Sequence, residues 1–338
     1  MSTKKSIEEQ IKEKRASQEE TQKEIAKIYG TDEMKVITKK LEKLTIKPVV
    51  EPRTSLSDAN LPKLLTGTIL DDILGRGGIS AGKLVELYGE YGSGKTQILF
   101  TLTAEASQRG TVVFNDCEYT FSSDRLEQIC KERGLDIDKM WKNIIVYQPE
   151  DWMHQLASIQ QIPSPSDLAS DGREPLQLIV VDSLLALIDA SEDFEGRQNL
   201  PVRSRVIRTQ ILGKLRQLAR THNCVVVFSN QIQDVPDVKP FTPFYLKQKA
   251  KGGPTVSHVP DIILYLRKSA GDTRIARLMD SSTIETAERV YCINKKGIDD
   301  VPAPIKQKIE NASKKEDEKE VQAVDAEVEP EEPKAEEE

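Results

Sequence analysis

The stretch "KLVELYGEYGSGKTQ", residues 83–97, decides the fold that this sequence predicts. Its apolar first half is typical of a buried strand, and its second half matches the pattern G-x-x-x-x-G-K-[ST]. In such a loop the glycines let backbone N–H groups converge on phosphates, the lysine supplies a positive charge and the threonine hydroxyl reaches Mg²⁺. The nucleotide-binding residues predicted in this loop are Gly89, Glu90, Tyr91, Gly92, Ser93, Gly94, Lys95, Thr96 and Gln97.

Strand and helix patterns alternate after this loop, which favours an α/β fold with a mostly parallel sheet and helices on its faces. Three later strand patterns follow one another without helices between them, and they predict an antiparallel C-terminal extension of the sheet. The earlier strand patterns are 83–88, 111–116, 143–148, 176–182 and 224–230, and the later ones are 262–267, 274–279 and 288–294. The helix predicted at 203–222 carries an apolar face typical of ordinary core packing.

Composition divides the chain into four parts. Residues 1–45 predict a charged, partly helical extension, with a coiled-coil partner site as the alternative, and residues 46–60 carry two prolines and predict a linker. Residues 61–305 form the predicted core, and residues 306–338 are predicted to be a disordered acidic tail. The net charge is −7, and twelve acids against two lysines from 316 to 338 contribute −10, which leaves +3 for the rest. The acidic balance therefore belongs to the tail.

Several classes of protein are excluded by composition. There is no run of 18 apolar residues and no apolar leader at the N-terminus, so we expect a soluble cytoplasmic protein without a membrane partner. The four cysteines form no C-x-x-C pair and are accompanied by only three histidines. Reduced thiols are therefore expected instead of a zinc site or a disulfide framework.

Acidic side chains follow two of the predicted strands. Asp182 ends the strand 176–182, where an aspartate can hold Mg²⁺ together with Thr96, although such residues also cap turns. Glu118 and Asp116 follow the strand pattern 111–116 at the edge where a side chain can face the γ-phosphate. We predict that Glu118 orients water for hydrolysis, with Asp116 or a purely solvated pair of acids as the alternatives.

Eight segments, taken in this order, resemble the archaeal RadA and RadB group of RecA-type recombinases. They are "TGTILDDILGRGGI", "ELYGEYGSGKTQ", "NDCEYTFSSDRL", "LIVVDSLLALI", "FSNQI", "KGGPTVSHVPDIILYLRK", "RIARLMDSS" and "NKKGIDD". The resemblance covers roughly residues 60 to 300. It implies a RecA-type P-loop ATPase core that uses ATP and Mg²⁺ and works on DNA in homologous recombination and repair.

The resemblance also implies roles for single residues. Glu118 matches the catalytic glutamate, Arg125 matches the arginine that lies against the adenine, and Gln231 matches the glutamine that senses the γ-phosphate. With Lys95, Glu118 and Gln231 form the predicted catalytic set. His258 matches a loop histidine linked to nucleotide state, although a lone histidine is usually a local hydrogen-bonding group.

Two loops are expected to contact single-stranded DNA, with duplex DNA as a further candidate. The first places Arg197 where the group has a glycine-arginine pair. The second, residues 233–253, combines lysines that neutralise phosphates with aromatic rings that stack on bases; a solvated lysine-rich loop is the alternative. Its basic and aromatic residues are Lys239, Lys247, Lys249, Lys251, Phe241, Phe244 and Tyr245, of which Lys247, Lys249 and Lys251 are the predicted DNA contacts.

Two features depart from the recombinases of that group, which carry a Phe-x-x-Ala tether between subunits. The first phenylalanine of this chain is Phe100, and "SSTIET" at 281–286 replaces the proline that usually follows "RLMD". We therefore expect a monomer or small oligomer, a paralog that assists a main recombinase or other paralogs. The alternatives are the strand-exchange recombinase itself, an ATP-binding adaptor and a KaiC-like signalling ATPase with little role on DNA.

Overall fold

A nine-stranded mixed sheet runs through the described part of the chain, which comprises residues 62–75, 77–235, 247–269, 271–281 and 284–302 of a computed structural model. The predicted N-terminal extension, linker and acidic tail lie outside these residues, as do Lys239, Phe241, Phe244 and Tyr245 of the second loop. None of the helices in the described ranges is long and apolar enough to cross a membrane.

The strands confirm the predicted α/β fold with a mostly parallel sheet. They are β1 (Lys63–Leu64), β2 (Ile79–Ser80), β3 (Leu84–Gly89), β4 (Thr111–Asp116), β5 (Ile144–Tyr147), β6 (Leu176–Asp182), β7 (Val225–Asn230), β8 (Ile232–Asp234), β9 (Gln248–Ala250), β10 (Ile262–Lys268), β11 (Thr273–Ser281), β12 (Glu288–Asn294) and β13 (Gly297–Asp300). The order across the main sheet is β13-β12-β11-β10-β3-β7-β6-β4-β5. From β10 to β5 every neighbouring pair is parallel.

The C-terminal extension is antiparallel, as predicted, but it begins one strand later than the pattern indicates. β10 itself pairs parallel with β3, and only β11, β12 and β13 alternate in direction. β13 has no counterpart in the sequence prediction, because its four residues are too few and too polar to give a strand pattern. The small hairpin of β8 and β9 and the pair β1 and β2 were likewise too short to predict.

Helices cover both faces of the sheet. They are α1 (Lys95–Ser107), α2 (Ser123–Arg133), α3 (Ile137–Asn143), α4 (Trp152–Gln160), α5 (Pro165–Ser170), α6 (Ala186–Asp189), α7 (Leu200–Arg205), α8 (Gly213–His222) and α9 (Pro254–Ser257). A π-helical segment, Val206–Leu212, joins α7 to α8, and short 3-10 helices lie at Ile69–Asp72, Glu192–Phe194 and Arg197–Asn199. The predicted apolar face at 203–222 is buried.

The main apolar clusters lie on opposite faces of the sheet. Phe100 of α1 packs with Phe114 of β4 on one face, and Ile207 of the π-helical segment packs with Val113 and Ile179 on the other. Side chains of successive strand residues alternate between these clusters, which explains the near-continuous apolar runs of the central strands. With both faces covered, the carboxyl ends of the parallel strands remain accessible at one edge of the sheet. That edge carries the candidate site.

Candidate nucleotide site and candidate DNA loops

The phosphate loop between β3 and α1 requires glycine at two positions. A Cβ on Gly89 would lie 2.1 Å from the backbone oxygen of Leu266, so β10 leaves no room for a side chain. Gly94, the residue before α1, has φ +99°, a left-handed conformation that favours glycine. The loop therefore presents the N-terminus of α1 to the cleft, a geometry suited to phosphate oxygens.

Two residues from the antiparallel strands donate hydrogen bonds to the backbone of this loop. The Tyr291 hydroxyl donates to the backbone oxygen of Ser93 at 3.0 Å, and Arg274 Nε donates to the backbone oxygen of Gly92 at 3.0 Å. Tyr291 is fully buried. Sequence reasoning missed both residues, because nothing in the spacing shows that these strands pass beneath the loop.

Lys95 points back along its own loop. Its Nζ donates to the backbone oxygens of Gly89 at 2.8 Å and Glu90 at 3.1 Å. Burial lowers the pKa of Lys95, and the nearby carboxylates of Asp182 and Glu118 oppose that shift. A partly desolvated ammonium of this kind interacts more strongly with phosphate than one in open water.

Asp182 lies beside the threonine of the loop, as the sequence predicts. Thr96 Oγ1 donates to Asp182 Oδ2 at 2.9 Å, and the Ser229 hydroxyl donates to the other carboxylate oxygen. Asp182 is only 2% exposed, and burial raises its pKa. Carboxylate and hydroxyl oxygens are hard ligands that Mg²⁺ prefers, so this donor set fits that ion.

The two candidate bases have different surroundings. Glu118 is exposed, and its Oε1 accepts from Ser183 Oγ at 2.7 Å and from Gln231 Nε2 at 3.4 Å. Asp116 is fully buried and accepts three hydrogen bonds that hold the turn after β4. Its donors are the backbone N–H groups of Thr120 and Phe121 and the side chain of Gln148, at 2.9–3.0 Å. Asp116 thus has a structural role, which favours Glu118 as the group that faces water.

A cleft of about 500 Å³ brings most of the predicted nucleotide residues together, although Gly89, Glu90, Ser93 and Gln231 do not line it. Its lining includes Lys95, Thr96, Glu118, Arg125 and Asp182, together with Ile293 of β12, which the sequence did not predict. The guanidinium of Arg125 donates from Nε and Nη2 to Gln97 Oε1 at 2.9 and 2.7 Å. Tyr91, another lining residue, is 95% exposed.

The predicted DNA residues occupy a second cleft and the β8–β9 hairpin. Arg197 and Lys251 line this second cleft, also about 500 Å³ in volume, together with Asp189 and Arg203. Lys249 is exposed on β9, and Lys247 immediately precedes that strand. The cleft therefore brings residues of the two predicted DNA loops together, and Arg203, from the same predicted loop as Arg197, is an additional cation that the sequence prediction did not single out.

The structure also gives the positions of His258, which the sequence predicts, and of two serines, which it does not. His258 is exposed at the C-terminal end of α9 and does not line the nucleotide cleft. Ser183 and Ser229, which contact the key carboxylates, were missed. A signal for both was present, because Ser183 directly follows Asp182 and Ser229 lies next to last in the neighbouring strand.

Comparison with known proteins identifies the family of this chain. A family model described as Rad51 matches residues 59–301, which is most of the chain. The chain belongs to the Rad51 family. Relatives of this Rad51-family protein include the DNA repair and recombination protein RadA of Aeropyrum pernix, 35% identical over 254 residues, or 72% of this chain and 75% of the relative. RadA of Ignicoccus hospitalis is 33% identical over 284 residues, covering 80% and 83% of the two chains.

These matches confirm the resemblance to RecA-type recombinases of the RadA group. Rad51-family proteins are DNA-dependent ATPases of the RecA-type P-loop class, and this is the enzyme class of the chain. The matched segment contains every described strand of the main sheet and both clefts. The roles of individual residues in this Rad51-family chain remain predictions.

Proposed function

We propose that this chain binds ATP with Mg²⁺ and hydrolyses it in response to DNA, as part of homologous recombination and DNA repair. The observation that carries the proposal is the single cleft in which Lys95, Thr96, Asp182, Glu118 and Arg125 converge. They come from the phosphate loop, two strand ends and α2, so only the folded chain assembles them. We place these functions in the predicted core, residues 61–305.

The residues of the cleft fit ATP and Mg²⁺ chemically. Ser93 Oγ is buried and has no hydrogen-bond partner among the described residues, at the loop where phosphate oxygens would be expected. Thr96 and Asp182 would hold Mg²⁺, and the loop N–H groups with Lys95 would hold the phosphates. When bound, Mg²⁺ neutralises charge on the phosphate oxygens of the ATP that is cleaved. Arg125 would lie against the base.

Within this cleft Glu118 orients the attacking water. Its exposed carboxylate is fixed by Ser183 and faces the opening beside Lys95, whose charge stabilises the phosphate oxygens. Gln231 contacts the same carboxylate and stands at the end of β7, directly before the hairpin that carries Lys247 and Lys249. We propose that this connection links hydrolysis to DNA.

DNA would bind along the second cleft and the hairpin. Arg197, Lys247 and Lys249 would contact phosphates of a single strand, with duplex DNA as a weaker candidate. We further propose that the chain assists a main recombinase or other paralogs, as a monomer or small oligomer. The first 99 residues contain no phenylalanine, and "SSTIET" follows "RLMD", which supports this role. Strand exchange by this chain alone, or long regular filaments in electron micrographs with ATP and DNA, would support the alternative of a main recombinase.

The decisive experiment is the ATPase rate without DNA, with single-stranded DNA and with duplex DNA. We expect turnover that single strands increase. Lys95→Ala should abolish ATP binding, because the lysine contacts the phosphates in the ground state. Binding of ATP without turnover under all three conditions would contradict hydrolysis and favour an ATP-dependent adaptor.

A further inference from the structure

Lys251 is held by two side chains in the second cleft. Its Nζ donates to Gln231 Oε1 at 3.1 Å and lies 3.5 Å from Asp189 Oδ2. These contacts differ from the DNA phosphate contact that the sequence predicts for this lysine. We propose that Lys251 is a positioning residue for hydrolysis, which acts on Glu118 through Gln231. This inference rests on the proposed function of Glu118 as the group that orients water.

Backbone hydrogen bonds fix the position of Lys251. Its N–H donates to the backbone oxygen of Gln231 at 2.9 Å, and its own backbone oxygen accepts from Asn230 Nδ2 at 2.9 Å. The next residue, Gly252, has φ +90°, and a Cβ there would lie 2.5 Å from Val256 Cγ2. Lys251 is therefore hydrogen-bonded to the residues at the end of β7 through both its backbone and its ammonium group.

The amide of Gln231 has two chemically different ends, and Lys251 determines which of them faces Glu118. An ammonium group only donates hydrogen bonds, so it can pair only with the amide oxygen. Gln231 Nε2 is then directed to Glu118 Oε1, 3.4 Å away, where it donates. If the amide rotated by half a turn, its oxygen would face the carboxylate, and the two acceptors would repel each other. Lys251 thus stabilises the one amide orientation that holds Glu118.

Asp189 restrains the ammonium from the other side. It accepts a hydrogen bond of 2.5 Å from Arg203 Nη2 through Oδ1, while Oδ2 faces Lys251. A carboxylate shared by two cations keeps its own orientation and draws Lys251 into the cleft. Each step of the path from Arg203 through Asp189, Lys251 and Gln231 to Glu118 is a direct side-chain contact. A phosphate-binding lysine would need none of these contacts.

Turnover of the Lys251→Met variant tests this role. At saturating ATP and single-stranded DNA we expect kcat to fall about tenfold, since one charge-assisted hydrogen bond that orients a catalytic group is involved. KM for ATP and the affinity for a non-hydrolysable ATP analogue should stay unchanged, and Lys251→Arg should restore most of kcat. Lys296→Met is the matched control, because Lys296 also makes an ion pair, 3.7 Å from Asp299, and lines neither cleft. It should leave kcat unchanged.

A double-mutant cycle separates positioning from DNA binding. If Lys251 acts only through Gln231, the double variant Gln231→Ala with Lys251→Met should turn over no more slowly than Gln231→Ala alone. Losses that multiply, or an unchanged kcat in Lys251→Met, would overturn the inference while leaving the proposed function intact. A wild-type chain without turnover would overturn both. If Lys251→Met does not fold, Asp189→Asn weakens the same ammonium contact and should lower kcat about threefold, and an unchanged kcat there would also overturn the inference.

Discussion

Ser183 donates a hydrogen bond of 2.7 Å from Oγ to Oε1 of Glu118, from the residue that directly follows the proposed magnesium ligand. This contact fixes the carboxylate without neutralising it. We expect Glu118→Gln to keep ATP binding and to lose about 10²- to 10⁴-fold in hydrolysis, because only the base is removed. Ser183→Ala should lose about tenfold, the value of one hydrogen bond to a charged group. Single-turnover hydrolysis and analogue binding measure both, and wild-type turnover in Glu118→Gln would assign the base elsewhere.

Lys247 and Lys249 should contribute to DNA affinity through phosphate charge alone. Changing both to alanine is expected to weaken binding of all single-stranded sequences, and each lost contact should reduce the slope of log K against log salt by about 0.7. Fluorescence titrations between low and moderate salt measure this slope. Lys131 and Lys142, exposed on or near α2 and α3, provide a control pair whose replacement should leave it unchanged. An unchanged slope in the first pair would place the DNA elsewhere.

Glu86 should make the stability of the fold depend on pH. Its side chain is fully buried in β3, its Oε1 accepts from Asn230 Nδ2 at 2.8 Å, and Oε2 has no hydrogen-bond partner in the described part of the chain. Burial raises the pKa of Glu86 from 4.5 to about 7, against the opposing effect of the Asn230 bond. Between these values the folded chain holds a proton that the unfolded chain has lost, so the free energy of unfolding falls as pH rises.

The Glu86→Gln variant tests that dependence, since glutamine keeps the oxygen that accepts from Asn230 and cannot ionise. Between pH 5.5 and pH 8 the wild type should lose about 2 kcal/mol of stability relative to the variant. Urea unfolding at the two pH values gives the difference directly, and the effects of other titrating groups cancel between the two proteins. Equal pH dependence in both would show that Glu86 stays in one protonation state.

Arg133 at the end of α2 connects elements that are distant in sequence. Its guanidinium donates four hydrogen bonds, to the backbone oxygens of Thr66, Lys296 and Ile298 and to Oε1 of Glu105, at 2.7–2.8 Å. The side chain is 10% exposed. Arg133→Met should lower the free energy of unfolding by about 3 kcal/mol, because it leaves several acceptors unpaired. Arg109→Met, which removes one exposed bond, should cost under about 1 kcal/mol in the same denaturation experiment.

Residues within one contiguous motif were predictable from sequence. Lys95 and Thr96 lie where the loop pattern puts them, and Asp182 meets Thr96 because the ends of parallel strands share one edge of the sheet. The parallel direction of the central strands was also predictable, since apolar runs separated by helices favour a parallel sheet covered on both faces. Site residues that lie within one segment, or that meet at the shared edge of the sheet, could therefore be predicted from the sequence.

Contacts between remote segments were not predictable in this way. Composition makes Lys251 a plausible phosphate contact, but the hairpin of β8 and β9 returns the chain to the end of β7 and delivers its ammonium to Gln231. Asp116 and Glu118 both follow the same strand pattern in the sequence. Only the structure shows that the Asp116 carboxylate already accepts hydrogen bonds from donors around the turn after β4. In each case the outcome depends on side-chain directions that a one-dimensional pattern does not contain.

The hydrogen bonds that Tyr291 and Arg274 make to the phosphate loop limit where this chain can be truncated. All the residues proposed to hold nucleotide or to cleave it lie before residue 232, so a shortened chain ending at 260 would retain the phosphate loop, Asp182, Glu118 and Gln231. It would lose the Tyr291 hydroxyl under Ser93 and the Arg274 guanidinium on Gly92, and with β10 it would lose the neighbour of β3. The strand that leads into the loop would become an open, apolar sheet edge, and self-association through that edge is the expected fate of such a fragment.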